Sequence, residues 1–180
     1  MIPTKWKVLK SEFVAELKIF QARFDYLLNP HTNKEIKVTV LEANDAANVV
    51  SITPEKKVLM VRQFRFGSQD FSLEIPGGFI ENNESPLEGV KRELIEETGY
   101  TSDNWKPIGT IYSNPVYQNA KIHHFVATDV RKTDETHFDR EEHIEVEYLS
   151  PTEIIQAVKS NQITHPHTIS ALCRLYNLSS

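Results

Sequence analysis

Three glutamates, Glu93, Glu96 and Glu97, lie within one turn of a predicted helix near the middle of the chain. At about 100° per residue, their side chains share an arc of about 100° on the helix surface. Each like-charge pair at this spacing costs roughly 0.2–0.5 kcal/mol. Carboxylates are also the ligands that a hard divalent cation such as Mg²⁺ prefers, usually together with phosphate oxygens. The crowded acids therefore predict a divalent-metal site and chemistry on phosphates.

The helix that carries these acids has clear start and stop signals. Ser85 can cap it, Pro86 suits its first position, and Glu88 can complete a capping box. Gly99 supplies a left-handed stop. An apolar stripe at helical spacing is predicted to face the core, and it consists of Leu87, Val90 and Leu94.

Arg92 lies one turn from both Glu88 and Glu96, so its guanidinium is expected to reach both and to relieve part of the repulsion. The glycines of Glu74–Gly78, ahead of the helix, let the backbone approach the acids closely. A solvated acidic helix face is the alternative interpretation. The glycines, the cap and the adjacent arginine at fixed spacing favour the metal site.

The spacing of these residues resembles the Nudix box, G-x5-E-x7-R-E-U-x-E-E-x-G-U with U apolar, which Gly78, Glu84 and Arg92–Tyr100 match at every fixed position. The resemblance implies a Mg²⁺-dependent hydrolase, with Mn²⁺ as a possible substitute. It also implies roles for particular residues of this chain. Those assigned as metal ligands are Glu93 and Glu97, with Glu96 as an additional ligand and the carbonyl of Gly77 completing the shell. Arg92 is assigned to the catalytic residues, and Glu84 is expected to brace the loop.

Segments outside the box are similar to the branch that contains ADP-ribose pyrophosphatases and nucleoside-diphosphate-sugar hydrolases. They are Val61–Arg65, Leu73–Gly78 and Pro115, within a resemblance that covers roughly residues 6–176. The branch implies hydrolysis of a pyrophosphate bond to a nucleoside monophosphate and a sugar phosphate. The residues assigned to the substrate are Arg65, Arg62, Glu74 and Pro115. Val116 replaces a glycine common in relatives, which leaves the preferred base and sugar open.

The loop 138–143 is where this branch supplies a further acid, as a metal ligand or as the general base. Glu142 matches best and Glu141 is the alternative, so both are predicted catalytic residues. Many relatives also carry an acid at the position of Arg140, which leaves the choice between the two glutamates open.

Composition limits the partners and the location. The net charge of −5 over 180 residues, without a basic stripe, argues against a nucleic-acid binder. No run approaches the 18 or so apolar residues that a membrane helix needs. The single cysteine, Cys173, favours a reducing compartment, so we predict a cytoplasmic protein. Its helical apolar neighbours place Cys173 in the predicted core.

Strand patterns alternate with two or three helices, which predicts an α/β (α+β) fold. We expect the α/β/α sandwich with a mixed sheet that the Nudix resemblance also implies. Residues 1–45 are predicted to form a small N-terminal β subdomain, and 46–180 the catalytic domain. Relatives pair through their N-terminal strands, so a homodimer is expected.

The adjacent histidines His123 and His124 lie in a predicted strand and point to opposite faces, so they cannot both bind one metal. His165 and His167 flank the start of a helix and are expected to cap or pack.

Two alternative functions stay open: a catalytically silent sensor of nucleotide sugars, and a Nudix hydrolase of dinucleoside polyphosphates or oxidised nucleotides.

Overall fold

The structure is a computed structural model that describes residues 4–136 and 144–176. The chain forms two compact units. The first contains the residues up to Asn44 together with Tyr112–Lys121, and the second contains Asp45–Ile111 and the residues from Ile122 onward. The division into functional domains at residue 45 stays a prediction.

The first unit is an antiparallel three-stranded sheet in the order β1-β2-β3, in the region where the sequence predicts N-terminal β structure. The strands are β1 (Lys7–Glu16), β2 (Gln21–Leu28) and β3 (Glu35–Glu42). Every residue of β1 except Ala15 is exposed to solvent, and its apolar side chains include Phe13, which is 67% exposed. The edge strand therefore presents apolar surface.

The second unit holds the remaining elements. Its strands are β4 (Ala46–Ile52), β5 (Val58–Arg65), β6 (Asp70–Glu74), β7 (Gly77–Phe79), β8 (Tyr100–Thr101), β9 (Asn104–Tyr112), β10 (Lys121–Thr128), β11 (Arg131–Lys132) and β12 (Glu145–Leu149). Its helices are α1 (Pro86–Thr98), α2 (Pro151–Lys159) and α3 (Pro166–Tyr176). Tyr112, the last residue of β9, and Lys121, the first residue of β10, belong to the first unit.

The central sheet is mixed. Its order is β12-β5-β4-β10-β9, with β6 paired to β5 and β7 paired to β4. Strands β4 and β10 are parallel, whereas β5 is antiparallel to β4, β6 and β12. Each strand alternates between the two faces, so neighbouring residues enter different cores.

Two apolar cores cover the two faces of this sheet. Val50 and Met60 pack with Ile154 of α2 and Leu172 of α3. The intervening faces of the same strands carry another set, packed with α1, which includes Val49, Leu59, Val90 and Leu94. The predicted α/β/α sandwich with a mixed sheet and an N-terminal antiparallel sheet is therefore confirmed.

Helix α1 begins and ends where the sequence predicts. Ser85 and Glu88 form the capping box, and Gly99 ends the helix in the left-handed region at φ 73°. The same capping arrangement recurs at Ser150 and Glu153, ahead of α2. In the described part of the chain, no helix is long and apolar enough to cross a membrane.

The placement of Cys173 in the core was wrong, because its side chain is exposed on α3. The helix buries Ala171 and Leu172 instead. Its apolar stripe is narrower than the run of apolar residues suggests, so Cys173 falls outside it.

Candidate active site

The acidic face of α1 packs against β7, which lies beside β4 in the central sheet. Glu97 is 7% exposed, and its Oε2 accepts a hydrogen bond of 2.9 Å from the backbone N–H of Gly77. Glu93 and Glu96 are half-buried on the same side of the helix. The structure therefore brings Glu97 and Glu93 to β7, the strand that contains Gly77 and Gly78, with Glu96 on the same side of the helix.

Two glycines allow this close approach. A Cβ atom on Gly78 would collide with the carboxylate of Glu93. A Cβ atom on Gly77 would collide with the carbonyl oxygen of Ala47, and its φ of 154° also favours glycine. Gly78 thus makes room for a carboxylate, while Gly77 makes room for the neighbouring strand.

Arg92 gathers the acids of the site around one guanidinium. It donates to Glu84 at 2.9 Å, to Glu93 at 2.9 Å and to Glu96 at 2.8 Å. It also donates to the carbonyl oxygen of Phe79 at 3.0 Å. The hydrogen bond to Glu84 raises the pKa of Arg92 the most, so the guanidinium stays charged. Glu84 braces the loop as expected, since its Oε2 also accepts from a backbone N–H of that loop.

The prediction that Arg92 bonds to Glu88 was wrong. Glu88 instead accepts the backbone N–H of Ser85 at 2.8 Å, and Ser85 Oγ accepts the N–H of Glu88 at 3.3 Å. Helix capping therefore competes successfully for this carboxylate. The bond from Arg92 to Glu96 forms as predicted.

The donor set fits a hard divalent cation by its chemistry. The predicted ligands are three carboxylates and a backbone carbonyl, so every donor atom is an oxygen. Gly78 leaves space for the carboxylate of Glu93. Among the described residues, however, no three His, Cys, Asp or Glu side chains are grouped so that they could hold a metal ion as they stand. Arg92 draws Glu93 and Glu96 to itself, so a cation would have to exchange with that guanidinium.

A second charged group lies on the β5–β6 hairpin. Arg65 donates from Nε to Glu74 Oε1 at 2.8 Å and from Nη2 to Glu74 Oε2 at 2.7 Å, which is a bidentate fork. Glu74 is 1% exposed. Burial raises the pKa of Glu74, but the hydrogen bond and the charge of Arg65 help to outweigh it, so the pKa is lowered.

Two residues of the α3 start contact this group. His165 Nδ1 lies 3.1 Å from Glu74 Oε2 and 3.1 Å from Thr168 Oγ1. Thr168 Oγ1 also accepts the backbone N–H of Ile75 at 3.2 Å. The carbonyl of His165 accepts the N–H of Ile169 in the first turn, and the His165 ring packs edge-on against that of His167, which confirms the expected packing at the helix start. No local pattern pointed to Thr168, because its partner is far away in sequence.

The structure does not bring Arg62 to Arg65. Residues three apart on a strand point to opposite faces, and Arg62 donates to Glu147 of β12 at 2.5 Å. Pro115 is exposed and belongs to the first unit. Glu141 and Glu142, the predicted base candidates, lie outside the described residues.

The paired histidines have different environments, as the strand alternation predicts. His124 is fully buried, and its Nδ1 lies 2.7 Å from Asn48 Oδ1 and its Nε2 3.2 Å from Ser170 Oγ. Burial lowers the pKa of His124 to about 4. His123 instead pairs with Asp45 at 3.2 Å. His124 is therefore a neutral core residue that links β10, β4 and α3.

The fold and the acids of α1 define an α/β/α sandwich protein with a glutamate-rich helix against its central sheet. The chain belongs to the Nudix family, since the NUDIX domain model matches residues 42–172. An ADP-ribose pyrophosphatase of Bacillus subtilis (strain 168) is 29% identical, with 92% of each chain covered. A GDP-mannose pyrophosphatase of Yersinia enterocolitica is 30% identical, with 91% of each chain covered. A solved structure described as an ADP compounds hydrolase shares the fold, with a TM-score of 0.87 at 20% identity over 98% of this chain and 95% of that chain.

Proposed function

We propose that this Nudix protein hydrolyses the pyrophosphate bond of a nucleoside diphosphate sugar or ADP-ribose, releasing a nucleoside monophosphate and a sugar phosphate. The observation that carries the proposal is the set of Glu93, Glu96 and Glu97 on one side of α1, against the glycine strand β7. The substrate class follows from the relatives named as ADP-ribose and GDP-mannose pyrophosphatases.

Mg²⁺ is the proposed cofactor, with Mn²⁺ as a substitute, because every donor is a hard oxygen. Glu93, Glu97, Glu96 and the carbonyl of Gly77 would hold it. When bound, such a cation neutralises charge on the diphosphate and lowers the pKa of a water molecule. Glu97 also fixes β7 through the N–H of Gly77, so the helix and the strand would keep their donors in register.

Arg65 is the proposed diphosphate-binding cation. Two of the five N–H groups of the Arg65 guanidinium donate to Glu74, and this fork fixes the plane of the guanidinium. A planar fork suits two phosphate oxygens better than a point charge does. Arg62 is the weaker candidate because it bonds to Glu147 on the other face of β5. Pro115 as a substrate contact and Glu142 or Glu141 as the general base stay predictions.

The proposed function is tested with a panel of ADP-ribose, GDP-mannose and UDP-glucose, with products identified by chromatography. With Mg²⁺ we expect a nucleoside monophosphate from at least one compound, and no product after chelation. Glu93→Gln should lose this activity while its circular dichroism spectrum stays unchanged. Glu81→Gln is the matched control, since Glu81 has an exposed side chain in the loop before the helix.

Full turnover by Glu93→Gln would contradict the assigned site. Calorimetric binding of a nucleotide sugar without any product would favour the silent sensor instead. Release of products from dinucleoside polyphosphates alone would favour the other alternative substrate class.

A homodimer and a cytoplasmic location belong to the same proposal. Exposed apolar side chains on and beside β1 support an interface: Phe13 is 67% exposed, Val8 51% and Ile19 52%. Analytical ultracentrifugation should give twice the monomer mass, and Phe13→Glu should shift the protein towards monomer. A monomeric wild-type chain would contradict the dimer and leave the proposed reaction unaffected.

A further inference from the structure

The buried carboxylate of Glu74 has contacts from two directions. Its two oxygens accept the fork from Arg65 on the β5–β6 hairpin. From the residue that precedes α3, His165 Nδ1 approaches Oε2 at 3.1 Å. The Glu74 side chain is 2% exposed, whereas that of Arg65 is 42% exposed. The buried acid is therefore held between an inner histidine and an outward-facing arginine.

The first turn of α3 also holds the backbone next to Glu74. Thr168 is completely buried, and its Oγ1 accepts the N–H of Ile75 at 3.2 Å. The same oxygen lies 3.1 Å from His165 Nδ1. His165 and Thr168 thus contact a carboxylate and the peptide that follows it, so the position of Glu74 depends on α3.

The contacts determine which nitrogen of His165 carries the proton. An unprotonated Nδ1 would direct its lone pair at the Glu74 carboxylate, which is repulsive. Nδ1 is therefore the protonated nitrogen, and its N–H faces Glu74 Oε2 at 3.1 Å while it hydrogen-bonds to Thr168 Oγ1 at 3.1 Å. Burial lowers the pKa of His165 to about 4, although the charge of Glu74 opposes this shift. At neutral pH the imidazole is an uncharged donor.

We propose that His165 is a positioning residue for substrate binding, which holds the Glu74 carboxylate so that both of its oxygens accept from Arg65. The inference rests on the proposed function of Arg65 as the diphosphate ligand. A long arginine side chain loses rotamer entropy when it is ordered. The fork orders Arg65 before substrate arrives, and His165 prevents Glu74 from turning away from it.

The kinetic test uses three variants with the favoured substrate and Mg²⁺. His165→Leu removes the donor at similar volume, His165→Asn restores an N–H donor, and Cys173→Ser alters an exposed residue of the same helix. Contacts to phosphate exist in the ground state and the transition state alike, so their loss raises KM more than it lowers kcat. We expect KM to rise on the order of tenfold in His165→Leu, to recover in His165→Asn and to stay unchanged in Cys173→Ser.

A second readout does not depend on catalysis. The Nε–H proton of Arg65, held by Glu74, should give a slowly exchanging nuclear magnetic resonance signal, assigned by its loss in Arg65→Lys. We expect this signal to broaden in His165→Leu and to persist in His165→Asn. If the wild-type protein hydrolyses none of the panel, the proposed function fails and this signal alone decides the role of His165.

Two results would overturn the inference. One is an Arg65 signal that is equally sharp in His165→Leu and in the wild-type protein. The other is a fall in kcat and melting temperature at constant KM, which would indicate a general structural role for His165.

Discussion

The two charged groups of the second unit differ in how many acids share one arginine. On α1, Arg92 bonds to Glu84, Glu93 and Glu96, so acids outnumber the cation. On the β5–β6 hairpin, the two oxygens of one carboxylate, that of Glu74, accept a bidentate fork from Arg65. The first group is half-buried, whereas the acid of the second is almost completely buried.

This difference indicates two kinds of site. Excess negative charge around Arg92 leaves the acids able to gain from a further cation, so that group is suited to exchange. A buried carboxylate matched to one guanidinium has a fixed geometry, because breaking the pair would leave an uncompensated charge. The acidic group is therefore suited to binding a metal, and the fork to holding an arginine in place.

The largest expected effect comes from removing one acid of the α1 group. Glu97→Gln keeps an oxygen that can accept the Gly77 N–H but loses the charge. We expect kcat to fall by about 10²–10³-fold, as when a group that stabilises transition-state charge is lost. The melting temperature should not decrease, because one repulsive charge is gone. A loss below about tenfold, measured at saturating Mg²⁺, would contradict the role of Glu97.

The next effect separates the two arginines of β5. Arg65→Lys replaces a planar fork with a point charge, and we expect KM to rise by about 10–100-fold, as for a lost charged hydrogen bond. Arg62→Lys should change KM by no more than about twofold, because the Arg62–Glu147 ion pair is partly solvated and such a pair contributes little. Steady-state kinetics on both variants makes the comparison. Equal increases in KM would show that the two faces of β5 do not differ in function.

The pH dependence of stability tests the environment of His165 beside the Arg65–Glu74 pair. Since burial lowers the pKa of His165 from 6.5 to about 4, the unfolded chain binds a proton in that interval that the folded chain does not. Stability should therefore fall as the pH decreases from 6.5 to about 4, with His165 contributing about 1–3 kcal/mol. Urea unfolding of His165→Asn should show a flatter dependence. His31→Asn, in an exposed turn, is the control and should keep the wild-type slope.

The smallest effect concerns metal exchange at Arg92. In the wild-type protein a cation must displace the guanidinium from Glu93 and Glu96, whereas in Arg92→Met the acids repel each other until a cation binds. Mg²⁺ should therefore stabilise Arg92→Met more than the wild type, by about 1 kcal/mol. Thermal unfolding with chelator and with Mg²⁺ measures how much the cation stabilises each of the two proteins. Arg131 forms an exposed ion pair with Asp103, so Mg²⁺ should stabilise Arg131→Met as much as the wild type. Equal stabilisation of Arg92→Met and the wild type by Mg²⁺ would contradict the exchange of Arg92 for a cation.

The sequence by itself determined the elements and the acid cluster. The Ser85 cap, the Gly99 stop and the spacing of the glutamates are local signals, and helix α1 has the bounds they predict. Strand patterns interleaved with two or three helices likewise predict the α/β sandwich with a mixed sheet. These features depend on neighbours within a few residues, which a single sequence displays.

The tertiary structure decided which partners the charged groups take. Arg92 bonds to Glu84 rather than Glu88, because the loop returns to the helix while the cap holds Glu88. Glu74 meets Arg65 across a hairpin and His165 from α3, more than ninety residues later in the chain. Such contacts depend on how helices pack on the two faces of the sheet. No periodicity along the chain encodes that packing. The acids could therefore be predicted from the sequence, whereas the cationic side chains that bind them depend on the tertiary structure.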